Sequence, residues 1–252
     1  MKSLTIYILL LMSLNLHAED NKIEELYRLN NISGSILIES LDGNSKYQYN
    51  VNESERFIPA STFKIPNTLI VLEEGLIKDP ADVIKWDGVK REYASWNKDQ
   101  TLKSAFQYSC VWCYQRYAKQ VGNQKYRAYL RKLHYGNTLT GNDISRFWLD
   151  GELKISVQEQ INFMRKVHSE ELPIQNKHLK TLKNIMLSET HKNYTIWSKT
   201  GWSGKDGWYV GYLLIDNKTW LFANHIEINS KTDLKFRKQL TIDSFHALQL
   251  IQ

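Results

Sequence analysis

Pro59-Ala60-Ser61-Thr62-Phe63-Lys64-Ile65-Pro66 decides how this chain is read. A serine followed three residues later by a lysine sets a hydroxyl and an amine side by side on one helical turn. An apolar run follows, Phe63, Ile65, Leu69, Ile70 and Leu72, and it stops at Gly75 as helices commonly do. The same pattern recurs at Ser95-Trp96-Asn97-Lys98, in a polar and aromatic segment without helical periodicity, and there it reads as loop. Far downstream, Lys199-Thr200-Gly201 brings a second lysine beside a short strand pattern, where its charge can meet an anionic substrate. One serine and two lysines so placed point to acyl transfer through a serine ester.

A serine hydroxyl is a weak nucleophile until a base takes its proton. No Gly-x-Ser-x-Gly elbow is present, since Gly201-Trp202-Ser203-Gly204 has the wrong spacing, and there is no His-Glu-x-x-His. Lys64 remains as the base, although a solvated lysine titrates near a pKa of about 10.4. Burial disfavours the ammonium, and Phe63, Val111, Trp148 and Leu149 are the expected walls of a dry pocket. A free amine in such a pocket also adds carbon dioxide to give a carbamate, an anionic oxygen base. The remaining possibility is a cationic Lys64 that only positions substrate.

The 252 residues suffice for one large domain or two small lobes, and 42% hydrophobic content excludes a disordered or fibrous chain. The formal net charge of +6 is too small to argue nucleic-acid binding. Lys2, the apolar run from Leu4 to Leu16 and the small Ala18 read as a secretory signal over 1–18, with the mature chain starting near Glu19. An uncleaved anchor is the alternative. No second long apolar run follows, so no membrane association is expected of the mature form. Cys110 and Cys113 are separated by two residues in an apolar, helical setting; a redox or disulfide pair is one reading, small core hydrophobes the preferred one, because a bridge across one helical turn tends to strain the backbone, and whether the two are bridged is left open. No metal site is expected.

Periodicity gives an amphipathic helix over Asn21 to Asn30 with Ile23, Leu26 and Leu29 on one side, then a hairpin of strands at 35–39 and 46–51. Helices are expected at Thr101 to Val121, Lys125 to Leu133 and Val157 to Val167, and again at Thr232 to Ile251. Ile196 to Lys199 and a hairpin of Gly207 to Ile215 with Trp220 to Ile228 return the chain to strands. The expected fold is α+β, an α/β sandwich whose antiparallel sheet comes from both termini, with an all-helical lobe inserted in it. Residues 19–252 form one catalytic domain, with the α/β lobe over about 19–60 and 188–252 and the helical lobe over about 61–187. The seam between the lobes is the expected cleft.

Ser61-Thr62-Phe63-Lys64, Ser109-Cys110-Val111, Tyr135-Gly136-Asn137, Phe147-Trp148-Leu149 and Lys199-Thr200-Gly201 occur in this order. The set resembles that of the class D, oxacillinase-type serine β-lactamases, members of the penicillin-recognising serine enzymes. The resemblance implies a β-lactamase/transpeptidase-like fold, secretion to the bacterial periplasm, β-lactam small molecules as substrates, and a monomer or homodimer. It implies no metal and no cofactor beyond CO2 or bicarbonate, which carboxylates Lys64. In that family pattern Ser61 is the nucleophile and carboxylated Lys64 the general base for both half-reactions. Trp148 holds the carbamate, Ser109 relays a proton with help from Lys199, and the backbone N–H groups of Ser61 and Trp202 form the oxyanion hole. Val111, Thr200, Gly201 and Arg237 bind substrate. Two rivals share much of the set: a β-lactam sensor domain, which acylates without turning over, and a cell-wall transpeptidase or carboxypeptidase.

Overall fold

Gly34–Ser40 alternates Ile36 and Ile38 to one side with Leu37 to the other, all fully buried, and forms β1 of the central sheet. The computed structural model describes residues 19–252, so the expected leader over 1–18 lies outside the described residues. β2 (Lys46–Tyr49), β3 (Leu187–Thr190), β4 (Tyr194–Ser203), β5 (Asp206–Ile215) and β6 (Lys218–Glu227) complete six strands in the order β2-β1-β6-β5-β4-β3. Every pairing is antiparallel. The first two strands and the last four thus come from opposite ends of the described chain and meet where β1 pairs with β6, Gly34 opposite Ile226 through Ser40 opposite Trp220. The fold is α+β with helices inserted between the two halves of the sheet.

The period of two in the strands gives the sheet two apolar faces. On one, Ile36, Ile38, Leu213 and Phe222 pack with Ile23 and Tyr27 from α1 (19–29) and with Leu240 and Phe245 from α8 (Phe236–Ala247). On the other, Leu37, Trp208, Val210 and Leu221 join the helical lobe. α2 (Lys64–Glu73), α3 (Leu102–Gln107), α4 (Val111–Val121), α5 (Asn123–Leu133), α6 (Val157–His168) and α7 (Asn176–Met186) make up that lobe. Each such fully buried aliphatic or aromatic side chain contributes about 1.5–3 kcal/mol.

Several elements differ from expectation for local reasons. In α1, Ile23 and Tyr27 lie at i and i+4 and define the buried stripe, which leaves Leu29 67% exposed. The helix expected over Thr101 to Val121 is two helices, broken at Tyr108–Cys110, where Ser109 takes φ +54°. α7 and β3 were not anticipated as separate elements: β3 has four residues at the sheet edge, no apolar alternation, and a register shift between Leu187 and Glu189. The C-terminal helix starts as a 3-10 turn over Lys231–Lys235 and becomes α-helical at Phe236. α6 begins with a capping box, in which Ser156 Oγ accepts from the Glu159 N–H at 3.1 Å while the Ser156 N–H donates to Glu159 at 2.8 Å. That cap fixes the helix whose Gln160 amide donates to Thr62 Oγ1 at 3.0 Å, beside Ser61.

Among the described residues, no helix is long and apolar enough to cross a membrane.

Candidate active site

Ser61 sits in a 3-10 turn, Ala60–Phe63, that runs directly into α2. Ala60 holds φ +50°, a left-handed conformation costing a non-glycine residue roughly 1–2 kcal/mol. Backbone strain of this kind survives only where the surroundings over-determine it. Here the Thr62 N–H and hydroxyl both donate to Pro59 O, and the Trp208 indole donates to Ile58 O. Lys64, the first residue of α2, points its amine back so that Nζ lies 3.1 Å from Ser61 Oγ. The lysine is fully buried, and desolvation lowers its pKa to about 7. Burial thus favours the neutral amine that a base requires. The Tyr114 ring lies 5.0 Å from Nζ, and Tyr114 is itself fixed by a 2.7 Å hydrogen bond with Thr68. Sequence reasoning missed Tyr114 as a wall of the lysine pocket, because α4 reaches Lys64 only through tertiary packing.

Trp148 is fully buried and stacks on Phe63, the residue before Lys64, with ring centroids 5.5 Å apart. Among the described residues its indole N–H has no hydrogen-bond partner. A buried, unpaired donor costs about 1–3 kcal/mol, so this one marks a place for an acceptor. The donor, the apolar walls and the neutral amine together fit a carbamate on Lys64. Tyr135-Gly136-Asn137 has a different task. Gly136 takes φ +53°, and a Cβ there would sit 2.2 Å from Lys154 O. Asn137 donates to Glu152 O and Lys154 O, so the segment clamps the chain that follows Trp148.

β4 supplies the facing wall. Gly201 passes so close to the serine turn that a Cβ would lie 3.0 Å from Pro59 O and 3.2 Å from the Thr62 nitrogen. Lys199 is 4% exposed, and its ammonium meets Ser109 Oγ at 2.5 Å and Thr200 O at 2.9 Å. Burial first, then the charges of Lys64 and Arg237, hold Lys199 well below the usual lysine range. Arg237, on α8, donates to Gly201 O and Leu234 O, and burial lowers its pKa to about 10. Among the described residues no salt bridge includes Lys64, Lys199 or Arg237.

Ser61, Ser109, Val111, Thr200, Gly201, Trp202 and Arg237 line one cleft of about 270 Å³. Lys64 reaches it through Ser61 and Lys199 through Ser109 and Thr200, while Trp148 precedes Leu149, which lines it. Clefts of about 620 and 430 Å³ elsewhere hold neither a Ser–Lys pair nor a buried charge, and one of about 350 Å³ shares Thr200 with this cleft and holds Lys199 but not Ser61. The cleft is also lined by Tyr93, Trp96, Tyr108 and Leu234, which sequence reasoning did not pick out. The dismissed Ser95-Trp96-Asn97-Lys98 copy is no second nucleophile, but it delivers Trp96. Its signal was the aromatic cluster of Tyr93 and Trp96 rather than the Ser-x-x-Lys spacing. The Trp96 indole donates to Tyr108 O, and the Trp112 indole donates to Trp96 O.

The question of whether the two cysteines are bridged is answered against the preferred reading of them as free core hydrophobes: Cys110 and Cys113 form a disulfide. Cys110 caps α4 with ψ 103°, outside helical geometry, so the bridge does not span a regular helical turn.

Residues 27–245 match the family model for the penicillin binding protein transpeptidase domain. β-Lactamase OXA-20 of Pseudomonas aeruginosa is 40% identical over 214 residues, covering 83% of this chain and 80% of its own length. Two crystal structures of class D β-lactamases superpose closely. The one from Nostoc does so with a TM-score of 0.88 at 36% identity, covering 91% of this chain and 99% of its own. The one from Sebaldella termitidis does so with a TM-score of 0.87 at 38% identity, covering 91% and 96%. The chain belongs to the class D β-lactamases, serine hydrolases of cyclic amides within the penicillin-binding transpeptidase family.

Proposed function

We propose that this protein opens the ring of penicillin-type β-lactams through an acyl-enzyme on Ser61 and hydrolyses that ester. The observation that carries the proposal is a fully buried amine, its pKa lowered to about 7, 3.1 Å from a serine hydroxyl at the wall of a cleft flanked by a second buried lysine, Lys199, and by Arg237. Lys199 and Arg237 draw the carboxylate of the substrate to Thr200, where a guanidinium fork suits a planar anion. Ser61 Oγ attacks the lactam carbonyl while its proton leaves toward position 64. The N–H groups of Ser61 and Trp202 receive the oxyanion, where losing one donor costs about 3–4 kcal/mol. As the C–N bond breaks, Ser109 delivers a proton to the lactam nitrogen and is resupplied by Lys199. Before the second half position 64 releases its proton to solvent and Lys199 takes one up. A water then gives a proton to position 64 as it attacks the ester carbonyl, and that proton passes to Ser61 Oγ, which leaves as an alcohol. When present, the carbamate on Lys64, held by the Trp148 indole, supplies an anionic oxygen base in place of the amine.

The apolar run before Glu19 supports export to the periplasm, where such substrates meet a bacterium. The decisive test is time-resolved mass spectrometry of the mature protein with a penicillin, alongside turnover of a chromogenic β-lactam. The expected result is an adduct that forms and clears, and neither adduct nor turnover in Ser61→Ala. Turnover surviving in Ser61→Ala refutes the nucleophile. An adduct that never clears in the wild type favours a sensor.

A further inference from the structure

Ser109 holds its hydroxyl on Lys199 from a backbone conformation, φ +54°, that disfavours every residue with a side chain except in small, locally bonded cases. Two hydrogen bonds tie this turn to the end of α3: the Ser109 N–H to Phe106 O at 3.1 Å and the Cys110 N–H to Ala105 O at 2.8 Å. On the other side α4 begins at Val111 without any side-chain cap, since Cys110 accepts no hydrogen bond there. What fixes the start of α4 to the Ser109 turn is the Cys110–Cys113 bridge, with both residues fully buried. A bridge closing so short a loop restricts the unfolded chain least, so its chief effect is not general stabilisation.

We propose that the Cys110–Cys113 disulfide is a positioning device for acylation, holding Ser109 left-handed so that its hydroxyl stays on Lys199, an inference that rests on the acyl-transfer reading of the site. The bridge flanks Val111, which lines the cleft, and Trp112 lies within its loop. The guanidinium groups of Arg91 and Arg116 lie 5.2 and 5.1 Å from the Trp112 ring, and its indole donates to Trp96 O. One covalent link thereby sets a proton carrier and one wall of the cleft. Thr200 and Arg237, which take the substrate carboxylate, stand on β4 and α8 and are untouched by it.

The test compares the wild type with Cys110→Ala/Cys113→Ala, measuring the single-turnover acylation rate by intact mass together with kcat, KM and melting temperature. The expected acylation rate falls about tenfold, the factor equivalent to ~1.4 kcal/mol, with KM little changed. Reducing the folded wild type under mild denaturant, with the thiols counted by mass, should reproduce the loss, and reoxidation should restore the rate. An unchanged acylation rate in a variant that merely melts earlier overturns the inference, as does a wild type whose cysteines are free thiols after oxidising expression. If the double variant does not fold, the reduction and reoxidation series on the wild type decides. A wild type that opens no β-lactam at all fails at the earlier step and removes the acyl-transfer reading itself.

Discussion

Replacing Lys64 with methionine removes the amine and keeps an unbranched side chain of similar length in the same apolar pocket. Burial depresses the folded-state pKa of Lys64 from 10.5 to about 7, while the unfolded chain titrates normally. Below pH 7 both states are protonated, and the folded state bears the whole cost of burying an ammonium. Between pH 7 and 10.5 the unfolded state binds more protons, so stability rises with pH across that window. Above 10.5 both states are neutral and the penalty is gone. A gap of about 3.5 pKa units at 1.36 kcal/mol each sets the total near 5 kcal/mol. In bicarbonate-free buffer, Lys64→Met should therefore exceed the wild type in unfolding free energy most at pH 6, and the excess should shrink steadily toward pH 10.5.

Urea unfolding at a series of pH values measures this difference directly. The charge of Lys64 is one of the causes that depress Lys199, so part of the effect arrives through Lys199, and the same series in a Lys199→Met background separates the two. Adding bicarbonate should stabilise the wild type alone, by about 2.7 kcal/mol at one hundred times the dissociation constant, with no response in Lys64→Met. A difference between the two proteins that stays constant from pH 6 to 10 refutes the reasoning, because it means that the native amine is solvated.

Three further outcomes follow from the same geometry. Trp148→Phe keeps the stack on Phe63 but removes the unpaired indole donor; losing a hydrogen bond to a charged group, about 1.5–3 kcal/mol, should raise the bicarbonate needed for half-maximal activity roughly 10- to 100-fold, read by titrating activity against bicarbonate. Gly201→Ala forces a Cβ to 3.0 Å from Pro59 O and 3.2 Å from the Thr62 nitrogen, so it should destabilise by about 1–3 kcal/mol in urea unfolding and depress kcat/KM with it. Lys199→Ala takes away the partner of Ser109 and should lower the acylation rate by about 10²- to 10⁴-fold, the range of a lost acid–base group, measured in single turnover.

The serine and both lysines were legible because their chemistry is written in local spacing. Three residues place Lys64 over Ser61 whether the turn between them is α or 3-10, and the structure makes it 3-10. The break at Ser109 was not legible. Thr101 to Val121 contains no glycine or proline, and the left-handed serine is imposed by contacts from Phe106, Lys199 and the disulfide. The aromatic wall was hidden for a related reason: Trp96 is held by Tyr108 and Trp112, 12 and 16 residues away, and no period in the sequence encodes that. Cys110 was misread because its helical surroundings suggested a helical cysteine, when in fact it stands one residue outside the helix.

The charge arrangement explains why these parts belong to one machine. Ion pairs elsewhere on the protein satisfy cations in ordinary ways, such as Arg56 with Glu159 or Lys183 with Glu170. Lys64 and Lys199 are buried and Arg237 is half-buried around one cleft, and among the described residues no salt bridge gives any of them a carboxylate. An unpaired buried charge is costly, so such groups either surrender protons or await an anion. Both answers serve acyl transfer. Surrendering its proton makes Lys64 a base, and a receptive amine for carbon dioxide, which would bring one negative charge. In the proposed reaction the substrate carboxylate would bring another to Arg237 and Thr200. The cleft thus lacks the negative charges that the proposed reaction itself delivers, and the cost of keeping it unbalanced in the free protein becomes a preference for the anionic substrate over a neutral amide of the same shape.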